Sequence, residues 1–110
     1  MPELIKTLQT LKQELESAWQ KLQLDQKITQ LSELEKVIAE PELWLNPNHA
    51  KQQHELFAKL NNEVTPWQLI RTQLHDLQEI IDLNDQSLNT EIDAQLKAIS
   101  DQFKNLKKNL

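Results

Sequence analysis

The sequence predicts an all-α protein, an elongated antiparallel three-helix bundle with coiled-coil-like packing and a corner rich in proline and tryptophan. Three observations predict this fold class. Apolar residues recur three and four positions apart along most of the chain, which is the spacing of an amphipathic helix. The 110 residues include no glycine and no tyrosine, whereas Leu, Gln, Glu, Lys and Asn are abundant. Two prolines and a tryptophan crowd together only at residues 40–50, where one long helix must turn into the next.

The first helical stretch runs from the amino terminus to this corner. Its apolar stripe consists of Leu4, Leu8, Leu11, Leu15, Trp19 and Leu22. Leu24 then falls out of phase and Asp25 is a suitable N-cap residue, so we expect a kink or short break near residues 23–25. The pattern leaves open whether the stretch is one bent helix or two.

The corner (residues 40–50) carries a stop signal and a restart signal. Pro41 has no amide hydrogen and its ring clashes with the preceding turn, so the incoming helix should stop there. Asn46 can accept hydrogen bonds from unpaired amides of a new helix, and Pro47 suits its first position. The two signals together mark a turn between two long helices, and Ala50 lies on the early face of the second helix.

Three consecutive apolar residues, 43–45, lie between these signals and are too apolar for a solvated loop. We expect them to fold back onto the bundle, with Trp44 plugging the open end between the helices. The alternative is that Trp44 is an exposed anchor for a partner protein, because tryptophan is enriched in binding hot spots.

A second long helical segment follows the corner and reaches Leu83. Thr65 and Pro66 interrupt it, so either Thr65 caps a fresh helix or the helix continues through a proline kink. We favour the kinked continuation, for a reason given with the resemblance below. The polar residues 84–87 should form a turn.

The last segment has the clearest pattern in the chain. Its heptad seam consists of Leu88, Ile92, Leu96, Ile99, Phe103, Leu106 and Leu110. Thr90 followed by Asp93 resembles a capping box. Because such a seam can also pair with another chain, it favours a second hypothesis, a dimeric coiled-coil adaptor or chaperone-like subunit.

Composition excludes most catalytic architectures. Without glycine there is no phosphate-binding loop, dinucleotide fingerprint or nucleophile elbow, and without cysteine there is no disulfide or thiolate metal site. His49, His54 and His75 lack the spacing of a zinc-binding helix, and no serine has a partnered base. We therefore expect no enzyme activity and no catalytic, metal-binding or cofactor-binding residues.

The charge pattern and hydropathy limit the partners. A net charge of −5 argues against nucleic-acid binding by this domain alone. The chain nevertheless ends in a basic stretch, residues 97–108, which is either a contact patch or a solvated helix face, and we favour the solvated face. No apolar run approaches the roughly 20 residues of a membrane span, and no signal-peptide pattern opens the chain. A cytoplasmic protein without membrane contact is expected.

Residues 34–50 resemble the amino-terminal domain of bacterial peptide chain release factor 2. That family carries a Pro-x-x-Trp-x-x-Pro-x-x-Ala pattern after a helix, matched here by Pro41, Trp44, Pro47 and Ala50. The resemblance extends over residues 24–83. In members of the family the helix continues through the position of Pro66, which is why we favour the kinked continuation.

The resemblance implies that residues 1–110 are the first domain of a factor that reads UGA and UAA stop codons and triggers peptidyl-tRNA hydrolysis. The family's Gly-Gly-Gln and Ser-Pro-Phe motifs are absent from this chain, so this domain cannot terminate translation alone. By resemblance it docks on the ribosome at the stalk base and factor-binding region, and it faces the GTPase release factor that recycles such factors. A monomer is expected, and no motif identifies the ribosome-contacting residues.

Overall fold

The computed structural model describes residues 2–108, which form four α-helices and two short 3-10 helices without a β-strand. The α-helices are α1 (Pro2–Lys21), α2 (Leu24–Ile38), α3 (Pro47–Asp82) and α4 (Asn89–Lys108), and the 3-10 helices are Pro41–Leu45 and Gln86–Leu88. The prediction of an all-α helical bundle is confirmed. Leu110, the last residue of the predicted seam, lies outside the described residues.

The first predicted stretch is two helices, separated at Gln23. Gln23 adopts a left-handed conformation with φ of 53°, an uncommon choice for a residue other than glycine. The predicted break is therefore confirmed, but the prediction that Asp25 is the N-cap is wrong, because Gln23 holds that position and Asp25 lies in the first turn of α2. The Asp25 carboxylate instead accepts a hydrogen bond of 2.9 Å from Nε1 of Trp19.

Helix α3 is 36 residues long and continues through Pro66 without a break. The favoured continuation is therefore confirmed over a new helix capped by Thr65. A proline costs a helix one backbone hydrogen bond, since it has no amide to donate. The long helix tolerates this loss because Val64, Trp67 and Ile70 around it are buried at 0%, 6% and 1% exposure.

The predicted turn at residues 84–87 is confirmed, and it leads directly into α4. Asn84 is left-handed with φ of 55°, and the Asp85 carboxylate accepts hydrogen bonds from the Ser87 hydroxyl at 2.7 Å and the Ser87 amide at 3.0 Å. These two bonds, the hydroxyl first, lower the pKa of Asp85. The predicted capping box at Thr90 is wrong, because α4 has already begun at Asn89.

The chain folds into two compact units, the first made of residues 1–18 and 66–110. In the described part of this unit, Lys12 Nζ of α1 donates to Gln78 Oε1 of α3 at 2.7 Å. The rings of Trp67 in α3 and Phe103 in α4 meet edge-on at 6.0 Å, and Lys107 Nζ of α4 donates to Glu14 Oε2 of α1 at 3.2 Å. These pairings make α1 antiparallel to the second half of α3 and parallel to α4, the predicted up-down-up order. Four residues of the heptad seam are buried inside the unit: Ile92, Leu96, Ile99 and Phe103.

The second unit, residues 19–65, is a helical hairpin of α2 and the first half of α3, with the corner as its turn. Lys27 Nζ lies 3.4 Å from Glu63 Oε2, at the end of the hairpin away from the corner. Leu34 and Leu60 are buried between the two helices. The hairpin therefore presents the corner at its tip.

Candidate docking surface

The backbone of the corner follows the signals read in the sequence. Helix α2 ends at Ile38, and a 3-10 helix of five residues opens with Pro41. Asn46 Oδ1 then accepts a hydrogen bond of 3.3 Å from the amide of His49, and α3 begins at Pro47. The predicted stop and restart are confirmed. At the start of α3, Ala50 is buried at 0% exposure, where a larger side chain would not fit without rearrangement.

The side chains of the corner depart from the prediction. Leu43 points inward and is 9% exposed, whereas Trp44 is 58% exposed and Leu45 is 85% exposed. The expectation that Trp44 plugs the end of the bundle is wrong. A 3-10 helix has three residues per turn, so within five residues only one of three consecutive apolar side chains can face the hairpin. Leu43 takes that position, and Trp44 and Leu45 are turned to solvent.

Trp44 is nevertheless held in place on the surface. Its ring lies 5.4 Å from the ring of His54 on α3, at an interplanar angle of 37°. A contact of this kind restricts the rotamers of the indole before any partner arrives, which lowers the entropic cost of binding. The alternative role of Trp44, an exposed anchor for a partner protein, is the one that this geometry favours.

A shallow apolar groove lies between α2 and α3 in the same unit. Val37 and Leu56, which are 37% and 43% exposed, flank it, and the buried Leu34 and Leu60 form its floor. Its volume is about 320 Å³. The hairpin thus exposes four large apolar side chains within residues 19–65: Val37, Trp44, Leu45 and Leu56.

The surroundings of the corner are acidic. Residues 33–55 contain five carboxylates and two ammonium groups, and all seven side chains are exposed. Glu40 and Glu42 are adjacent in sequence to the proline that opens the 3-10 helix. We define the corner surface as Trp44, Leu45 and His54 with these two glutamates. It combines an apolar anchor with negative charge.

The three histidines of the chain, His49, His54 and His75, do not form a common site in the described residues. His75 Nε2 pairs with Glu79 Oε1 at 3.3 Å on the solvent-facing side of α3, apart in the chain from His49 and His54 at the corner. Between residues 2 and 108, no three potential metal ligands come together. In the same range, no helix is both long and apolar enough to span a membrane.

The described residues form a helical domain with two exposed apolar side chains, Trp44 and Leu45, at its corner. Residues 27–110 match the family model of the PCRF domain. Because the match covers most of the chain, this protein belongs to the PCRF domain family. The membership agrees with the release-factor resemblance carried by the corner.

A longer relative supports the same assignment. The chain is similar to peptide chain release factor 2 of Chloroflexus aggregans (strain MD-66 / DSM 9485), with 28% identity over 103 residues. The match covers 90% of this chain but 28% of the relative. The chain therefore spans a little over a quarter of the length of the curated relative that it matches.

Proposed function

We propose that this chain is the amino-terminal docking domain of a translation termination factor of the release factor 2 type. The observation that carries the proposal is the match of residues 27–110 to the PCRF domain, supported by the similarity to a release factor 2. In this proposal the domain places the factor on the ribosome, and stop-codon reading at UGA and UAA and hydrolysis are carried out by other domains of the factor. The domain itself catalyses nothing and works in the cytoplasm.

The corner surface is the part of the domain that we assign to docking. Aromatic anchors that are exposed in the free protein and bury themselves in a partner commonly dominate binding energy. The carboxylates Glu40 and Glu42 beside Trp44 suit a positively charged partner and repel RNA phosphates. The occupant that fits is therefore a basic ribosomal protein at the stalk base and factor-binding region, with an apolar pocket for the indole. Contact with the recycling GTPase release factor is a further part of this proposal.

The rival hypothesis, a dimeric coiled-coil adaptor, rested on the heptad seam of the last segment. Four seam residues are buried by the chain's own helices, so this face of α4 has no apolar stripe left for a second chain. We accordingly propose a monomer. Sedimentation should give a mass near 12.9 kDa that does not change with concentration.

A domain exchange tests the termination role. The matching segment of the Chloroflexus aggregans factor is replaced by this chain, and peptide release is measured at UGA, UAA and UAG codons with ribosomes of that organism. We expect the chimaera to release peptide at UGA and UAA much faster than a factor from which the segment has been deleted. A chimaera no faster than the deletion would refute the proposal. The nucleotide sequence after the codon for Leu110 provides an independent check, because it should encode Ser-Pro-Phe and Gly-Gly-Gln motifs.

A second experiment tests the corner surface. Binding of the chain to ribosomes is measured by co-sedimentation for the wild type, for Trp44→Ala and for Leu69→Ala. Leu69 is a matched control, since it is 52% exposed but lies in the other unit. Loss of a hot-spot side chain costs at least about 2 kcal/mol, which weakens binding about 30-fold. If both variants weakened ribosome binding equally, or if neither weakened it, the corner surface would have no role in docking.

A further inference from the structure

A second feature, independent of the corner, is a basic groove between α1 and α4 in the first unit. Its volume is about 440 Å³, and it is lined by Lys6 and Glu14 of α1 and by Ser100, Phe103, Lys104 and Lys107 of α4, among others. Three ammonium groups therefore border it against one carboxylate. The two helices run parallel here, which brings lysines that are almost 100 positions apart in sequence to one groove.

One of these lysines is held by the fold. Lys107 Nζ lies 3.2 Å from Glu14 Oε2 and 4.5 Å from the centre of the Phe103 ring, whose side chain is 1% exposed. The contact fixes the groove wall, because an ion pair and a cation–π contact act on the same ammonium group. It also satisfies Glu14, the carboxylate that would otherwise repel an anion.

The other two lysines are uncompensated. Lys6 and Lys104 are exposed, and neither forms an ion pair with any residue in the range 2–108. Ser100 adds a hydroxyl that makes no hydrogen bond within the same range, so it can donate to an anion. The hydroxyls of Thr7 and Thr10, also in the groove, are already donated to backbone carbonyls one turn earlier. The free donors are thus two ammonium groups and one hydroxyl.

The net charge of the whole chain does not cancel this local charge. At physiological ionic strength the Debye length is about 8 Å, so carboxylates farther than this from the groove are largely screened from a ligand in it. Glu3 and Asp101 each lie one helical turn from a groove lysine, but neither forms an ion pair with it. The sequence argument against nucleic-acid binding rested on the total of −5, and it averages over surfaces of opposite sign.

We propose that this groove binds the phosphate backbone of RNA, with Lys6 and Lys104 contacting phosphates and Ser100 donating to a phosphate oxygen. The RNA is ribosomal RNA, an identification that rests on the proposed docking function. Lysine contacts of this type carry no base specificity and depend strongly on salt. The domain would therefore meet the ribosome through protein at the corner surface and through RNA at the basic groove.

The test measures the salt dependence of RNA binding for the wild type and for two charge-matched double variants. Lys6→Gln with Lys104→Gln removes the two uncompensated ammonium groups and leaves the Lys107 contact in place. Lys51→Gln with Lys59→Gln makes the same change in net charge on exposed residues of the other unit. The probe is a fluorescein-labelled RNA duplex of about 20 base pairs, followed by fluorescence anisotropy, and ribosome co-sedimentation is measured in parallel. Circular dichroism confirms that both variants fold.

Two phosphate contacts give a slope of about −1.8 in log K against log salt, so wild-type affinity should fall about 12-fold between 50 and 200 mM KCl. In the Lys6/Lys104 variant this part of the slope should disappear, whereas the Lys51/Lys59 variant should keep it. Equal slopes for all three proteins, or no RNA binding by the wild type, would overturn the groove proposal and leave ribosome docking standing if co-sedimentation persists. RNA binding that depends on the groove lysines, without any ribosome binding, would support the groove and refute the docking function.

Discussion

The two environments of tryptophan in this chain give the sharpest prediction about the structure. Trp67 is 6% exposed and packs edge-on against Phe103, whereas Trp44 is 58% exposed and touches His54 on the surface. Truncation of each to alanine removes the same atoms. The difference between the two variants in free energy of unfolding therefore reports on burial rather than on chemistry.

The magnitudes follow from the buried area. A fully buried aromatic side chain covers about 150–250 Å², and its deletion from a core costs about 3–5 kcal/mol once the cavity is included. We expect this cost for Trp67→Ala. Trp44 is 58% exposed and leaves no enclosed cavity, so at about 25 cal/mol per Å² its truncation should cost about 1.5–2.5 kcal/mol.

Urea denaturation followed by far-ultraviolet circular dichroism measures both costs. Helical signal is suitable because it does not depend on the tryptophan that has been removed. Trp67→Phe serves as a control, because it retains much of the buried area and should lose less stability than Trp67→Ala. If Trp44→Ala destabilised the protein as much as Trp67→Ala, the indole of Trp44 would be buried in solution and its role as an exposed anchor would be refuted.

Three further substitutions test the backbone signals. Asn46→Ala removes the acceptor for the His49 amide and should lower the free energy of unfolding by about 1 kcal/mol, measured by urea denaturation. Pro66→Ala should raise it by about 1–2 kcal/mol, because alanine restores the missing amide while a more flexible unfolded chain offsets part of the gain. Asp85→Ala should lower the thermal midpoint at neutral pH, because the carboxylate that accepts from Ser87 is lost. Since folding lowers the pKa of Asp85, its contribution is present above the unfolded pKa and should vanish as the pH falls through the lowered folded value.

Matched controls separate these effects from general loss of helix stability. Asn62→Ala replaces an exposed asparagine inside α3 and should not destabilise the protein, and neither should Asp101→Ala, which replaces an exposed aspartate inside α4. A decrease in stability for Pro66→Ala would mean that the proline ring contributes packing that alanine cannot replace. Equal effects of Asn46→Ala and Asn62→Ala would contradict the cap.

The features that the sequence predicts well are those controlled by one residue and its nearest neighbours. Pro41 ends a helix because it lacks an amide, and Asn46 starts one because its side chain accepts an amide hydrogen, and neither effect needs distant residues. The heptad seam of α4 is predictable for a similar reason, since its period alone specifies which side of the helix is buried. The family resemblance used the same local pattern, and it extended correctly through Pro66.

The features that the sequence predicts poorly depend on the type of helix and on backbone conformations that no residue type marks in this chain. Trp44 would face inward or outward according to whether residues 41–45 formed an α-turn, a loop or a 3-10 helix, and apolar character alone does not choose among these. The break before α2 uses Gln23 in a left-handed conformation that glycine normally occupies, and a chain without glycine offers no such marker. Asn84 likewise adopts a left-handed conformation without being a glycine, but there the neighbouring polar residues indicated the turn.

Surface charge illustrates the limit most clearly, because it depends on which helices lie side by side. The four lysines near the carboxyl terminus look like one solvated face when α4 is considered alone. Packing α1 parallel to α4 brings Lys6 to that face and pairs Glu14 with Lys107, so that Lys6 and Lys104 border the groove as two ammonium groups outside any ion pair. At the corner the opposite happens, since the hairpin gathers carboxylates around an exposed indole. A chain with a net charge of −5 can thus carry both of the surfaces that we propose, one for a basic ribosomal protein and one for an RNA backbone.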